Sequence, residues 1–348
     1  MSTGYVANQT TVYYGPSSTL YPSNNSYVGP NENVDVLWRE GNWYYIEYQS
    51  GNYRKRMYAP ISSVTGISTS VPSPSFTYLT RYVGYGGATY NGPNSVDYAS
   101  AGSVENYERV TFIDGTREGN YALIEYDISG TNQKKRAWFI YNELGSKLGV
   151  DTYAKITSQA QANAIKNAGY SFVGRYYYDD SNTHFDLSEA SYLSNAGLDV
   201  FIYYQNGASG SINYFTPSKG VSDASSAYRI ARSVNQPQNT MIYFAVEVDA
   251  TLSQVNGPIK AYFDALTQKM AELGTANNHK YGVGVYGSGF LCENLNCLSV
   301  VTHTVAGAWT GCATYHDWDN RQFSPITIAG TAYDVVVSKL AHAGGWTP

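Results

Sequence analysis

A chain of 348 residues exceeds one ordinary compact domain, and a composition 43% hydrophobic and 14% charged supplies packed cores and excludes a disordered tether. A net charge of −5 lacks the cationic field that holds a phosphate backbone, so no nucleic acid partner is expected. No run approaches the ~18 apolar residues of a membrane span, so no membrane insertion is expected, while 35 tyrosines suit contact with neutral sugars, ring face to ring face.

The N-terminal run MSTGYVANQTTVYY has neither a basic nor an apolar stretch, so no export signal of the usual form is expected. The first half of the chain carries an internal duplication. Tyr13-Tyr14-Gly15-Pro16-Ser17 returns as Tyr90-Asn91-Gly92-Pro93-Asn94-Ser95, and Glu40-Gly41-Asn42-Trp43-Tyr44-Tyr45-Ile46-Glu47-Tyr48 returns as Glu118-Gly119-Asn120-Tyr121-Ala122-Leu123-Ile124-Glu125-Tyr126. Arg54-Lys55-Arg56 and Lys134-Lys135-Arg136 precede the closing aromatic strand of each copy. Short alternating runs between Gly, Asn and Pro turns read as small all-β barrels over 1–62 and 78–142, with the Ser/Thr/Pro-rich 63–77 as a linker. These copies resemble bacterial SH3-like domains, which implies that they bind peptidoglycan or its cross-bridges.

From 147 to 348 strands alternate with helices, the pattern of a parallel α/β architecture. Strands are expected at 147–151, 171–177, 199–205, 240–249, 281–287, 304–310, 321–323 and 332–338, with helices capped by Ser158 and stopped by Gly169, Gly197 and Gly274. Eight strands make a TIM-type (β/α)8 barrel, whose site lies at the C-terminal strand ends. Acidic residues collect there: Asp151, Glu247, Asp249 and Asp334. Alternation along the fourth strand turns Glu247 and Asp249 to one inner face, roughly 7 Å apart. Crowded carboxyls separate in pKa, and glycoside hydrolysis needs one protonated and one ionised. Arg175, Tyr176, Tyr204, Gln205, Tyr286 and Trp309 fall near strand ends, where they would bind substrate. The spacing of Cys292, Cys297 and Cys312 matches no standard zinc pattern, so neither metal nor cofactor is expected.

Gly149-Val150-Asp151, the run from Ala168 to Tyr176, Ile242 to Asp249 and Gly282 to Ser288 together resemble a glycoside-hydrolase-like family distantly related to the family 25 lysozymes. The resemblance implies an N-acetylmuramidase-like activity at the bacterial cell wall, with Asp151 and Asp334 at the first- and last-strand acidic positions, Glu247 in a shifted frame or else Asp249 as proton donor, and Asp249 or Asp151 stabilising the transition state. Family 25 lysozymes carry Asp-x-Glu on the fourth strand, whereas this chain carries Glu247-Val248-Asp249. Two readings therefore stand: a peptidoglycan hydrolase of the endolysin or autolysin type, or an inactive wall-binding protein with a lectin-like barrel.

Overall fold

A computed structural model describes residues 2–178, 184–207, 209–295, 300–305 and 309–348, the side chains of 300–303 excepted. The chain forms two compact units, Met1–Leu144 and Gly145–Pro348.

The first unit holds a five-stranded and a seven-stranded sheet, built from equivalent strands of the two copies. Among the described strands neither sheet closes on itself, so the expected small barrels are open sheets. In the first copy Glu32–Glu40, Trp43–Ser50 and Tyr53–Pro60 pair antiparallel, and Arg109–Asp114, Tyr121–Asp127 and Lys134–Ile140 do so in the second. Residues 63–77 lie along the first sheet: Val64–Thr65 pairs with Tyr5 and Val6, Arg39 donates its N–H to Pro72, and Phe76 packs edge-on against Trp38.

The copies also exchange contacts. The Arg136 and Lys134 backbone N–H groups donate to Tyr14 and Leu20, and those of Arg56 and Arg54 donate to Asn91 and Asp97. Each Tyr-x-Gly-Pro loop thus lies on the other copy's closing strand. Its glycine is needed because a Cβ at Gly15 or Gly92 would strike the Tyr21 or Tyr98 ring at 2.4 or 2.0 Å. Side chains repeat the reciprocity. Arg136 pairs with Glu125 of its own copy at 2.9 Å and Glu40 of the other at 2.8 Å, while Arg56 pairs with Glu47 and, at 2.6 Å, with Glu118. Tyr98 donates its hydroxyl to Glu47, as Tyr21 does to Glu125. An apolar cluster of Tyr45, Tyr58, Ile113, Leu123 and Trp138, drawn from both copies, fills the space between the sheets.

The second unit is a closed barrel of eight strands: Lys147–Asp151, Phe172–Tyr177, Asp199–Tyr204, Met241–Ala245, Gly282–Gly287, Val300–Val305, Asn320–Ile328 and Thr331–Ser338. Helical segments follow the first five, and their caps explain their limits. Ser158 accepts from the Gln161 N–H, Asp186 from Glu189, and Thr216 from Lys219 ahead of Pro217. Gly169 and Gly197 take the left-handed conformation that ends a helix. Gly274 does not end its helix, which runs on to Ala276.

This is not the expected (β/α)8 barrel. The seventh and eighth strands form a hairpin closed by Ala329 and Gly330, both at positive φ, a two-residue turn with no room for a crossover helix. The eighth strand therefore runs antiparallel to both the seventh and the first. The reversal positions the site. Asp334, early in the eighth strand, sits opposite Asp151 at the C-terminal end of the first. Other strand boundaries also differ from expectation: the fourth stops at Ala245, the sixth is Val300–Val305, and the seventh extends from Asn320 to Ile328.

Candidate active site

Large side chains fill the barrel interior: Phe172, Phe201, Tyr203, Met241, Tyr243 and Val336, with Tyr176 and Tyr286 above them. Small residues make this filling fit. A Cβ on Gly174 would lie 2.5 Å from the Asp151 Cβ, so glycine there is what admits the aspartate to the interior.

Asp151 is 1% exposed. Its Oδ2 accepts from the Gln322 Nε2 at 2.9 Å and its Oδ1 from the Tyr176 hydroxyl at 3.3 Å. The same Gln322 nitrogen donates to Asp334 Oδ2 at 3.1 Å, and its oxygen accepts from the Tyr286 hydroxyl at 2.8 Å. One amide thus joins two carboxyls and a phenol. Burial, followed by the Asp334 charge, pushes the Asp151 carboxyl up to about 8, against the lowering effect of Gln322, Tyr176 and Arg175. Burial also raises the half-buried Asp334. Burial thus favours the neutral form of Asp151, the form that a catalytic acid or a sugar-binding carboxylic acid needs.

Glu247 and Asp249 do not share a strand face. Beyond Ala245 the chain leaves the ladder, since Glu247 N–H donates to Ser209 C=O rather than to a strand neighbour. Glu247 is half-buried and accepts from the Ser209 hydroxyl at 2.8 Å, whereas Asp249 is exposed and accepts from the Thr310 hydroxyl at 2.6 Å. Tyr286 connects these groups. Its phenol is raised first by burial and then by the charges of Asp151, Glu247 and Asp334, and its ring lies 6.3 Å from that of Trp309. Asp151, Asp334, Glu247, Tyr176, Tyr286 and Trp309 therefore gather at one mouth.

Arg175 and Tyr204 lie elsewhere. Both point out of the barrel toward the helices: Arg175, fully buried, pairs with Glu189 at 2.5 Å, and Tyr204 donates to Asp223 at 3.4 Å. Gln205 is half-buried just past the third strand, with its N–H on Tyr177 C=O. Sequence reasoning missed Gln322, Tyr203, Ser209 and the 47%-exposed Tyr153, whose ring meets Tyr176 edge-on at 5.7 Å. Tyr203 was legible from alternation, because it pairs in register with Tyr176 on the neighbouring strand.

Among the described residues no cluster of three His, Cys, Asp or Glu side chains is arranged to hold a metal, and no helix is long and apolar enough to cross a membrane. Cys292 is buried, Cys312 is half-buried, and Cys297 lies outside the described residues.

Residues 163–334 match the family described as the Rv2525c-like, glycoside hydrolase-like domain. Two Bacillus subtilis (strain 168) proteins are similar to this chain. YbfG is 32% identical over 210 residues, 56% of this chain and 28% of its own length, and FadG is 32% identical over 191 residues, 51% and 32%. The chain spans about a third of the length of these curated relatives. Among solved structures, the Tat-secreted Mycobacterium tuberculosis protein Rv2525c in complex with L-tartrate is 21% identical, with a TM-score of 0.48 over 57% of this chain and 98% of that one. A family 25 glycosyl hydrolase from Bacillus anthracis is 13% identical, with a TM-score of 0.37 over 56% and 89%.

Proposed function

We propose that the protein is a peptidoglycan hydrolase of the muramidase type, whose barrel cleaves the glycan and whose duplicated front unit holds the wall. The observation that carries this reading is the joining of Asp151, Asp334 and the Tyr286 phenol by Gln322, with Glu247 near enough to raise that phenol. The match of residues 163–334 to a glycoside hydrolase-like family supports it.

Glu247 is the proton donor in this reading. It is half-buried, and the Ser209 hydroxyl orients it. Asp151 and Asp334, tied by Gln322, sit at the floor, where one ionised carboxyl faces the positive charge that develops on the sugar ring. Asp249, held by Thr310 beside Trp309, borders the cleft and positions substrate. No step requires a metal or an organic cofactor. The reversed Glu-x-Asp order is accommodated because both residues lie past the strand, where the loop sets their direction in place of strand alternation.

Glu247→Gln is expected to lower the release of reducing ends from purified peptidoglycan by about 10²- to 10⁴-fold, the worth of a general acid, with an unchanged melting temperature. Activity equal to the unsubstituted protein would remove Glu247 from the mechanism. The second reading, a wall-binding lectin, is favoured by the burial of Asp151, a carboxyl too enclosed to reach a leaving oxygen. It requires wall binding without any new reducing end.

A further inference from the structure

Several polar groups of the mouth are bonded to one another. The Tyr176 hydroxyl serves Asp151, the Tyr286 hydroxyl serves Gln322, and the Gln322 amide serves both aspartates. The Tyr203 hydroxyl, on a residue 1% exposed, has no hydrogen-bond partner among the described residues.

Its ring is held firmly. The centroid lies 5.2 Å from that of Tyr176, 5.0 Å from Tyr286 and 5.0 Å from Phe201, so the hydroxyl cannot swing to find a partner without disturbing three packed rings. A buried hydroxyl without a bond is costly, and phenylalanine would fill the same space without that cost. Ala245 adds a second observation. On the fourth strand Tyr243 pairs with Tyr203, and the next side chain on that face, level with Tyr286, is only a methyl group. Among the aromatic side chains of the neighbouring strands, this position carries only that small group.

We propose that the Tyr203 hydroxyl is a ligand-binding donor at the floor of the mouth, and that it takes an uncharged oxygen, a sugar hydroxyl or an acyl carbonyl. An anion is disfavoured because the Asp334 and Glu247 carboxyls lie near enough to act on the neighbouring Tyr286 phenol. The phenol is also held well above its usual range by burial, then by Asp151 and the Tyr176, Tyr286 and Tyr243 phenols, so it remains a proton donor across the working pH range. The inference rests on the reading that this mouth holds a glycan, and it adds the residue that selects the neutral oxygen.

The test is calorimetric titration of the full chain and of its Tyr203→Phe variant with tetra-N-acetylchitotetraose, together with the melting temperature of each without ligand. Loss of one hydrogen bond is expected to weaken binding about tenfold, while the unliganded variant melts at the same or a higher temperature. Unchanged affinity would overturn the inference and leave the glycan reading intact. Tighter binding of the de-N-acetylated, cationic tetramer, insensitive to Tyr203→Phe, would overturn the neutral class of ligand. Absence of binding by the unsubstituted protein to this tetramer and to amidase-released glycan strands would overturn the glycan reading and the inference with it.

Discussion

At the scale of single residues, Asp151 governs how the barrel responds to pH. Its carboxyl stands near 3.8 when solvated and is raised to about 8 in the folded barrel, so between these values the folded state binds more protons than the unfolded chain. Its stabilising contribution is therefore complete below about pH 4 and is lost as pH rises toward 8. The melting temperature of the barrel is expected to fall over that window. Asp151→Asn, which keeps an amide of the same shape but cannot ionise, is expected to flatten the fall and to melt higher at pH 8. A variant that follows the same pH profile as the original protein would show that Asp151 is ionised in the fold.

At the scale of elements, the reciprocal exchange in the front unit ties the two copies together. Arg136 is 5% exposed and faces two carboxylates, so removing it leaves Glu40 and Glu125 without their common cation. Arg136→Met is expected to destabilise the unit by about 3–5 kcal/mol, and Arg56→Met is expected to act similarly. Lys269→Ala, which loses only the exposed pair with Glu272, should change stability by less than about 1 kcal/mol. Urea unfolding followed by tryptophan fluorescence measures all three, and an Arg136→Met midpoint equal to that of Lys269→Ala would refute the coupling. The repeat was legible in the sequence because Gly-Pro loops and Gly-Asn turns recur at a nearly constant offset. The exchange was not, since alternation records which face of a strand is buried and not which copy buries it. The final hairpin escaped for a similar reason: Ala329-Gly330 is a weak turn signal, and the expected βα rhythm of the earlier strands ran over it.

At the scale of the whole molecule, a duplicated all-β unit and a carboxyl-lined barrel share one chain. The four carboxylates were candidates from their expected positions near strand ends, yet the relation among them was not legible. The reversed eighth strand set Asp334 against Asp151, and the early end of the fourth strand parted Glu247 from Asp249. Gln322, which joins the first pair, had no marker beyond its alternation with Asn320, because an amide on a strand resembles any other polar position. In the proposed division of labour the full chain sediments with insoluble cell walls, and Glu247→Gln sediments to the same extent while releasing almost nothing. Loss of sedimentation in that variant would place wall attachment in the barrel mouth. Muramidase action is tested most directly by the identity of the reducing ends formed on defined peptidoglycan, fixed by borohydride reduction and resolved after acid hydrolysis. Reduced muramic acid is the predicted product, absent with Glu247→Gln; reduced glucosamine alone, or no reduced amino sugar despite wall binding, would contradict it.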